Sequence, residues 1–281
     1  MSISRRVHEM FTYLIRQLQP SRLFTCQTFL RIPFTSDLWW KLAASAASSS
    51  AMEALPPTLT SAAEQPPFHD GTIRLYIAYI CPYAQRAWIT RNYKGLQEKI
   101  KLLPMDTSDK PAWYKTVYPK NTVPSLKHDN KIIGESLDLI KYMDSHFEGP
   151  KLTSDDPEKQ RLAEELLGYS DTFNRAMVAA LISKGGVTAE AVDALDKIDS
   201  SLSKFDDGPF FLGKLSLVDI AYVPFIDGFQ IFFTNIKNYD ITRGRVNIRR
   251  FIEEMNMIDA FTQTKQDPQV LLALTKKKLG V

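Results

Sequence analysis

The sequence predicts an α/β domain over residues 71–150 followed by an all-helical domain over 151–281. Three observations predict it. Short strand-like segments alternate with helical ones from Thr72 to Phe147, beginning with Ile73, Leu75 and Ile77 set between Arg74 and Tyr76. After Gly149-Pro150 the strand signals stop and only helical periodicity continues. A chain of 281 residues, 44% hydrophobic and 24% charged, has the apolar content to bury a sizeable core.

The first strand runs over Thr72–Ile77, and Cys81-Pro82 opens a helix that reaches about Lys94. A second strand, Ile100–Met105, follows at βαβ distance. A short helical piece over Pro111–Val117 leads to Thr122–Leu126, and Asp129-Asn130 turns that strand into Lys131-Ile132-Ile133 as a hairpin. The helix Glu135–Phe147 closes the unit, with Leu137, Ile140, Met143 and Phe147 on one face. Strand, helix, strand, helix, strand, strand, helix is the order of a thioredoxin-like domain.

Beyond a linker at Thr153–Pro157, helices are predicted over 157–183, 189–206, 216–236, 245–256 and from 268 onward. The stretch Leu217–Ile236 is the most apolar of them. Its Asp219, Asp227 and Pro224 make it a buried core helix with a kink rather than a membrane span. Ser216-Leu217-Val218-Asp219 fits a capping box, a structural feature of the helix start.

The formal charge of +3 is unevenly spread. Residues 1–52 hold six basic side chains against two acidic ones; removing these from the totals of 35 and 32 leaves 29 and 30 for the rest, a net of −1. The segment 1–59 has scattered Arg, many Ser and Thr, and a small-residue run over 43–51, the composition of an organelle transit peptide. A disordered leader, or an extension ahead of a start at Met52, has the same composition. Chloroplast targeting is the expectation from this leader, with the cytosol the alternative if translation starts at Met52. Residues 60–70 continue a proline-rich lead-in, with Pro56, Pro57, Pro66 and Pro67 stiffening an unstructured approach.

Two cysteines exclude a disulfide scaffold and a thiolate zinc site. Cys26 lies in the leader, so Cys81 is the one thiol of the folded part. Placed between a strand and a helix, its sulfur sits at the helix N-terminus, and Pro82 suits the first helical position because it lacks the N–H that would be unpaired there. Helix-terminal charge and amides lower a thiol from about 8.5 into roughly the 3.5–7.5 range, which makes a nucleophile at neutral pH. A small buried core residue is the bland alternative. Position 84 is Ala, so the second thiol of a Cys-x-x-Cys pair is missing and a mixed disulfide on Cys81 needs an external thiol to resolve it. Glutathione is the abundant cellular one.

Such a ligand needs a strand edge and charge partners. Val123-Pro124, with a candidate cis bond, offers the edge, and Glu135-Ser136 at a helix start offers amides and a hydroxyl for a carboxylate and Glu135 for an ammonium. Each also reads as plain structure, a strand-edge proline and a helix cap.

These residues resemble the glutathione transferases, and in particular the plant lambda class, which is similar to the omega and dehydroascorbate reductase classes in using Cys. The resemblance rests on the stretches 81–89, from Cys81-Pro82-Tyr83-Ala84 to Ile89, and 110–114, Lys110-Pro111-Ala112-Trp113-Tyr114. It rests further on Val123-Pro124 and on 133–138, Ile133-Gly134-Glu135-Ser136-Leu137-Asp138. It extends from about residue 70 to the C-terminus and is weaker in the helical domain, where Gly213, Ser216 and Asp219 match the usual capping region. The resemblance implies a glutathione transferase fold, Cys81 as catalytic thiol, Lys110 and Val123 as glutathione contacts, Pro124 as cis-proline, and Glu135 and Ser136 at the γ-glutamyl end. Tyr83 stands where Phe is commoner, and Thr122 where a basic residue is frequent.

With Cys at the catalytic position, the resemblance implies reduction instead of conjugation: thioltransferase activity, and removal of glutathione from S-glutathionylated flavonols such as S-glutathionylquercetin. Glutathione is then the co-substrate and a small hydrophobic or aromatic molecule the second substrate, and the resemblance implies a monomer. A conjugating transferase and a non-catalytic carrier of flavonoid-like ligands are the alternatives. Nucleic-acid binding is disfavoured, because Lys276-Lys277-Lys278 is one short basic run at a helix end. The four His residues form no ligand spacing, so no metal is expected.

Overall fold

The computed structural model describes residues 53–280. Of the leader expected over 1–59, residues 1–52 lie outside them. Strand β1 (Ile73–Ile77) leads to helix α1 (Pro82–Tyr93), strand β2 (Ile100–Pro104) and the single turn α2 (Tyr114–Val117). The hairpin β3 (Ser125–His128) and β4 (Lys131–Gly134) and helix α3 (Ser136–His146) complete the α/β domain. The sheet order is β2-β1-β3-β4, with β1 parallel to β2 and antiparallel to β3, and β3 antiparallel to β4. This is the predicted thioredoxin-like arrangement.

Period-two alternation decides which face each strand residue serves. Leu75, Ile77, Leu102 and Leu126 pack on Ala84, Ala87 and Trp88 of α1 and on Leu139 and Met143 of α3. Tyr76 points the other way, into a smaller cluster with Met105, Tyr114, Val117 and Tyr118. β3 begins at Ser125, directly after the cis peptide Val123–Pro124, later than the strand predicted from Thr122.

The last residues of the expected leader and the lead-in over 60–70 are attached to the α/β part and differ from the unstructured approach expected there. Leu59 makes a parallel bridge to Met105, donating its N–H to the Pro104 carbonyl and accepting from Asp106. Trp113 donates to the Ala63 carbonyl at 2.8 Å, and Leu59 and Phe68 lie against the Tyr76 cluster. Proline stiffness does not keep this segment off the domain, since Leu59 and Phe68 supply apolar side chains that the exposed edge beside β2 can cover.

The second part is helical, as predicted: α4 (Pro157–Ile182), α5 (Ala189–Leu202), α6 (Leu217–Lys237), α7 (Val246–Met255), the single turn α8 (Asp259–Thr262) and α9 (Pro268–Leu279). Asp156 caps α4 by accepting from Glu158 and Lys159, with Pro157 at its first position. α5 stops at Leu202, short of 206, where the hydroxyls of Ser200, Ser201 and Ser203 bond back to the preceding carbonyls in competition with the helix. The turn α8 is too short to show a period. α6 is the one described helix long and apolar enough to cross a membrane, and most of it is buried inside the protein. It runs through Pro224 as one helix.

Ser216 and Asp219 form the expected capping box at the start of α6. Asp219 is fully buried and also accepts from the Phe211 amide at 3.0 Å, so it ties the 208–216 loop to the helix. Burial pushes its carboxyl up to about 7, against the pull of the hydrogen bonds from Ser216 and Phe211. Ile89 of α1 and Ile140 of α3 belong to the helical core, which joins the two parts along α1 and α6.

Candidate active site

Cys81 is the N-cap of α1, in extended backbone geometry, with Pro82 at the first helical position. Its carbonyl accepts from Gln85 at 2.9 Å, which fixes the residue at the strand-to-helix corner the sequence predicts. The ionisation expected of it is corrected. Cys81 is 4% exposed, and burial pushes the thiol up to about 11, outweighing the amides of Ala84 and Tyr83 and the charges of Arg86 and Lys110 that pull it down. The sulfur therefore rests as a thiol at neutral pH.

Beside it lies a cleft of about 500 Å³. Four of the residues singled out in the sequence, Val123, Pro124, Glu135 and Ser136, line it together with Tyr83, Arg86 and Lys120. Cys81 and Lys110 are not in its lining. Cys81 sits two residues before Tyr83, and the half-buried Lys110 donates to the Asn121 carbonyl. Burial lowers the Lys110 ammonium, while the nearby Cys81 acts in the opposite direction. Val123 has no backbone hydrogen bond among the described residues, so its N–H and C=O are open to a ligand.

Gly134 and Glu135 shape the corner into α3. A Cβ at 134 would overlap the hydroxyl end of the Tyr118 ring, so any larger residue there would have to push that side chain aside. Glu135 has φ +62°, a conformation that L-residues rarely adopt and that occurs at functional sites. No side chain caps α3, so the amides of Ser136, Leu137 and Asp138 face the cleft with the positive end of the helix dipole. The Glu135 carboxylate is exposed and ion-paired with Lys120 at 2.6 Å. Lys120 also brings a cation to the cleft in the absence of a basic residue at Thr122.

The sequence reading missed Arg86. It is 1% exposed, donates from Nε to the Ala221 carbonyl at 2.9 Å and from Nη1 to Ser136 Oγ at 3.0 Å. Its guanidinium lies over the Phe225 ring at 4.6 Å. Nη2 has no hydrogen-bond partner among the described residues. Burial lowers Arg86 to about 10, which leaves it charged at neutral pH. The signal was faint because α1 is buried around nearly its whole circumference and shows no polar face on which an Arg would stand out. Asp171 and Arg175 on α4 also line the cleft and were missed, since they come from a stretch of chain remote in sequence from the other lining residues.

A second crevice, of about 30 Å³, passes between Ile80 and Pro82 on one side and Phe225, Phe229 and Phe232 on the other. It has room for little more than a water molecule. The Lys265 ammonium, paired with Asp227 at 2.6 Å, stands at its edge.

Comparison with known proteins accords with this geometry. The family model for the glutathione S-transferase N-terminal domain matches residues 75–151. The chain is 67% identical over 213 residues to Protein IN2-1 homolog B of Oryza sativa subsp. indica, covering 75% of this chain and 87% of that protein. It is 53% identical over 225 residues to the Arabidopsis thaliana protein named Glutathione S-transferase L2, chloroplastic, covering 79% and 76%. Among solved structures, a Tau class glutathione S-transferase from mango, Mangifera indica, superposes with a TM-score of 0.65 at 23% identity, over 73% of this chain and 98% of that one. With a thioredoxin-like N-terminal domain, a mostly helical C-terminal part and relatives this similar over most of its length, the chain belongs to the glutathione S-transferase family and, within it, to the plant lambda class.

Proposed function

We propose that this transferase is a glutathione-dependent thiol reductase that removes glutathionyl groups from small molecules, with Cys81 as its nucleophile. One observation carries the reading: a lone thiol at the first turn of α1 beside a cleft whose far end turns uncapped amides and Arg86 toward a carboxylate. Glutathione suits that cleft from end to end. Its γ-glutamyl carboxylate sits on the amides of Ser136 and Leu137, with the Ser136 hydroxyl held by Arg86. The free backbone of Val123, ahead of Pro124, pairs with the cysteinyl residue as an added strand would. Glu135 lies at the γ-glutamyl end, and Lys110 adds positive charge on the thiol side.

Cys81 gives up its proton and attacks the glutathionyl sulfur of the substrate. An S–S bond forms, the substrate's own bond to that sulfur breaks, and the departing group keeps the electron pair and takes a proton. A second glutathione, as thiolate, attacks the glutathionyl sulfur and leaves as oxidised glutathione, returning the pair to Cys81. The amides of Tyr83 and Ala84 and the charges of Arg86 and Lys110 are positioned to hold the negative charge as it develops.

The second substrate is a small aromatic molecule, with S-glutathionylated flavonols such as S-glutathionylquercetin the class the resemblance implies. We place the protein in the plastid, on the leader composition and on the name of its chloroplastic relative, and as a working monomer. The test is Cys81→Ser assayed for glutathione-dependent reduction of a small disulfide. Turnover should fall to background; undiminished turnover overturns the reading, and efficient conjugation of an aryl halide by the intact protein would point to a conjugating transferase.

A further inference from the structure

We infer that the end of the helical part where α4, α6 and α9 finish holds a second ligand site, separate from the cleft beside Cys81, and that it takes an acyl-chain carboxylate such as a free fatty acid. A cleft of about 720 Å³ opens there, and it shares no lining residue with the one beside Cys81. Small-molecule sites run from about 300 to about 1,000 Å³, so the space suits an organic ligand. Along α4 alone, the rise from Arg175 in the first cleft to Ile182 in this one is about 10 Å, at about 1.5 Å per residue.

The lining has an aliphatic half. Ile182, the last residue of α4, is 44% exposed and lines the cleft with Ile236 of α6 and Leu279 of α9. A single exposed aliphatic side chain is ordinary, but three from three helices gathered in one concavity mark a surface that a ligand can cover. None of the described lining residues is aromatic. A planar ring therefore finds no face to stack on, whereas a flexible polymethylene chain packs on these three.

The charge in the lining is of one sign. Lys184, Lys237 and Lys276 line the same cleft, and none of the described lining residues is acidic. Helix ends attract lysines without any ligand, and Lys237 answers to that account: its ammonium donates to the carbonyls of Ser183 and Gly185 just beyond α4, the latter at 3.1 Å. Lys184 and Lys276 do not. Neither ammonium has a hydrogen bond or an ion pair among the described residues. The turn that carries Lys184 is also held in place, by Lys237 and by the Ser183 hydroxyl, which donates to the Ala180 carbonyl at 2.8 Å and the Gly186 carbonyl at 3.2 Å. A carboxylate entering the cleft meets two ammonium groups with no partner to displace, one of them on a pre-set turn. Chain and carboxylate correspond to the two halves of the lining.

Calorimetric titration of the full chain with sodium dodecanoate, below its micelle concentration, tests the site. Dodecanoate should bind at one site per chain and more weakly at high salt, and dodecyltrimethylammonium, with the same chain and the opposite charge, should not bind. Lys184→Gln and Lys276→Gln in one chain should weaken dodecanoate roughly threefold to thirtyfold, the worth of two exposed charge contacts. Ile182→Asp should abolish binding, and Arg175→Gln, in the cleft beside Cys81, should leave it unchanged. The substituted side chains are exposed or half-buried, so the variants keep their fold, as circular dichroism will verify. No binding of dodecanoate, equal binding of the cationic chain, or an affinity untouched by the lysine pair and by Ile182→Asp overturns the inference. A loss in Arg175→Gln places the acid in the cleft beside Cys81 and overturns it as well. Binding of the chain to phosphatidylglycerol vesicles without binding of free dodecanoate also overturns it, and assigns the lysines to a lipid surface instead.

Discussion

Replacing Asp219 by Ala tests how the start of α6, and with it the wall of the cleft that Phe225 and Ala221 support, is held in place. The carboxylate accepts from the amides of Phe211 at 3.0 Å and Ser216 at 2.8 Å and from the Ser216 hydroxyl at 2.6 Å, all in a fully buried setting. The variant leaves two buried amides without acceptors, at about 1–3 kcal/mol each, for a loss of roughly 4 kcal/mol. A pH dependence is superimposed on this loss. The folded-state value of about 7 lies above the unfolded carboxylate value, so the stabilising contribution of protonated Asp219 is fully present at low pH and is lost as pH rises through about 7. Between about pH 5 and about pH 8 the linkage amounts to roughly 2–3 kcal/mol, and the Ala variant lacks it. Thermal and urea unfolding should therefore show the larger deficit near pH 5, a drop of about 10 °C for a protein of this size, and a smaller one near pH 8. A deficit below about 1 kcal/mol near pH 5, or one that widens with pH, refutes the reasoning.

Burial of Cys81 gives a second expectation. With the thiol held up at about 11, its alkylation by iodoacetamide in the ligand-free protein should keep climbing from about pH 7 to about pH 9; a plateau already reached near pH 7 would mean that the amides of α1 outweigh burial. The lead-in gives a third. A chain lacking residues 1–68 should be less stable by roughly 2–3 kcal/mol than one lacking 1–52, because it loses the Leu59 bridge and the cover over Tyr76, Met105 and Tyr114, and equal melting temperatures would contradict that role.

The elements of the fold were legible wherever a period was long enough to read. Strands β1 to β4, α1 and the long helices α4 and α6 emerge from alternation, capping residues and proline positions, and the cap Ser216–Asp219 was visible as a four-residue pattern. What local pattern does not encode is contact across the chain. Pro56 and Pro66 announced stiffness, but the attachment of the lead-in depends on Leu59 meeting Met105 and on Trp113 meeting Ala63. The site divides in the same way. Val123, Pro124, Glu135 and Ser136 share a cleft as their motifs suggested, whereas Arg86, Asp171 and Arg175 enter it only through the packing of α1 and α4. The ionisation of Cys81 was misjudged for a related reason: a helix N-terminus can be read from Cys-Pro, but the walls that exclude water from the sulfur cannot.

The central claim is that Cys81 carries the glutathionyl group during turnover. Mass spectrometry of the full chain after incubation with oxidised glutathione, followed by peptide mapping, tests it most directly. The account predicts one glutathionyl adduct on the peptide containing Cys81, removed when reduced glutathione is added. An unmodified Cys81 in a protein that still reduces glutathionylated substrates would contradict it.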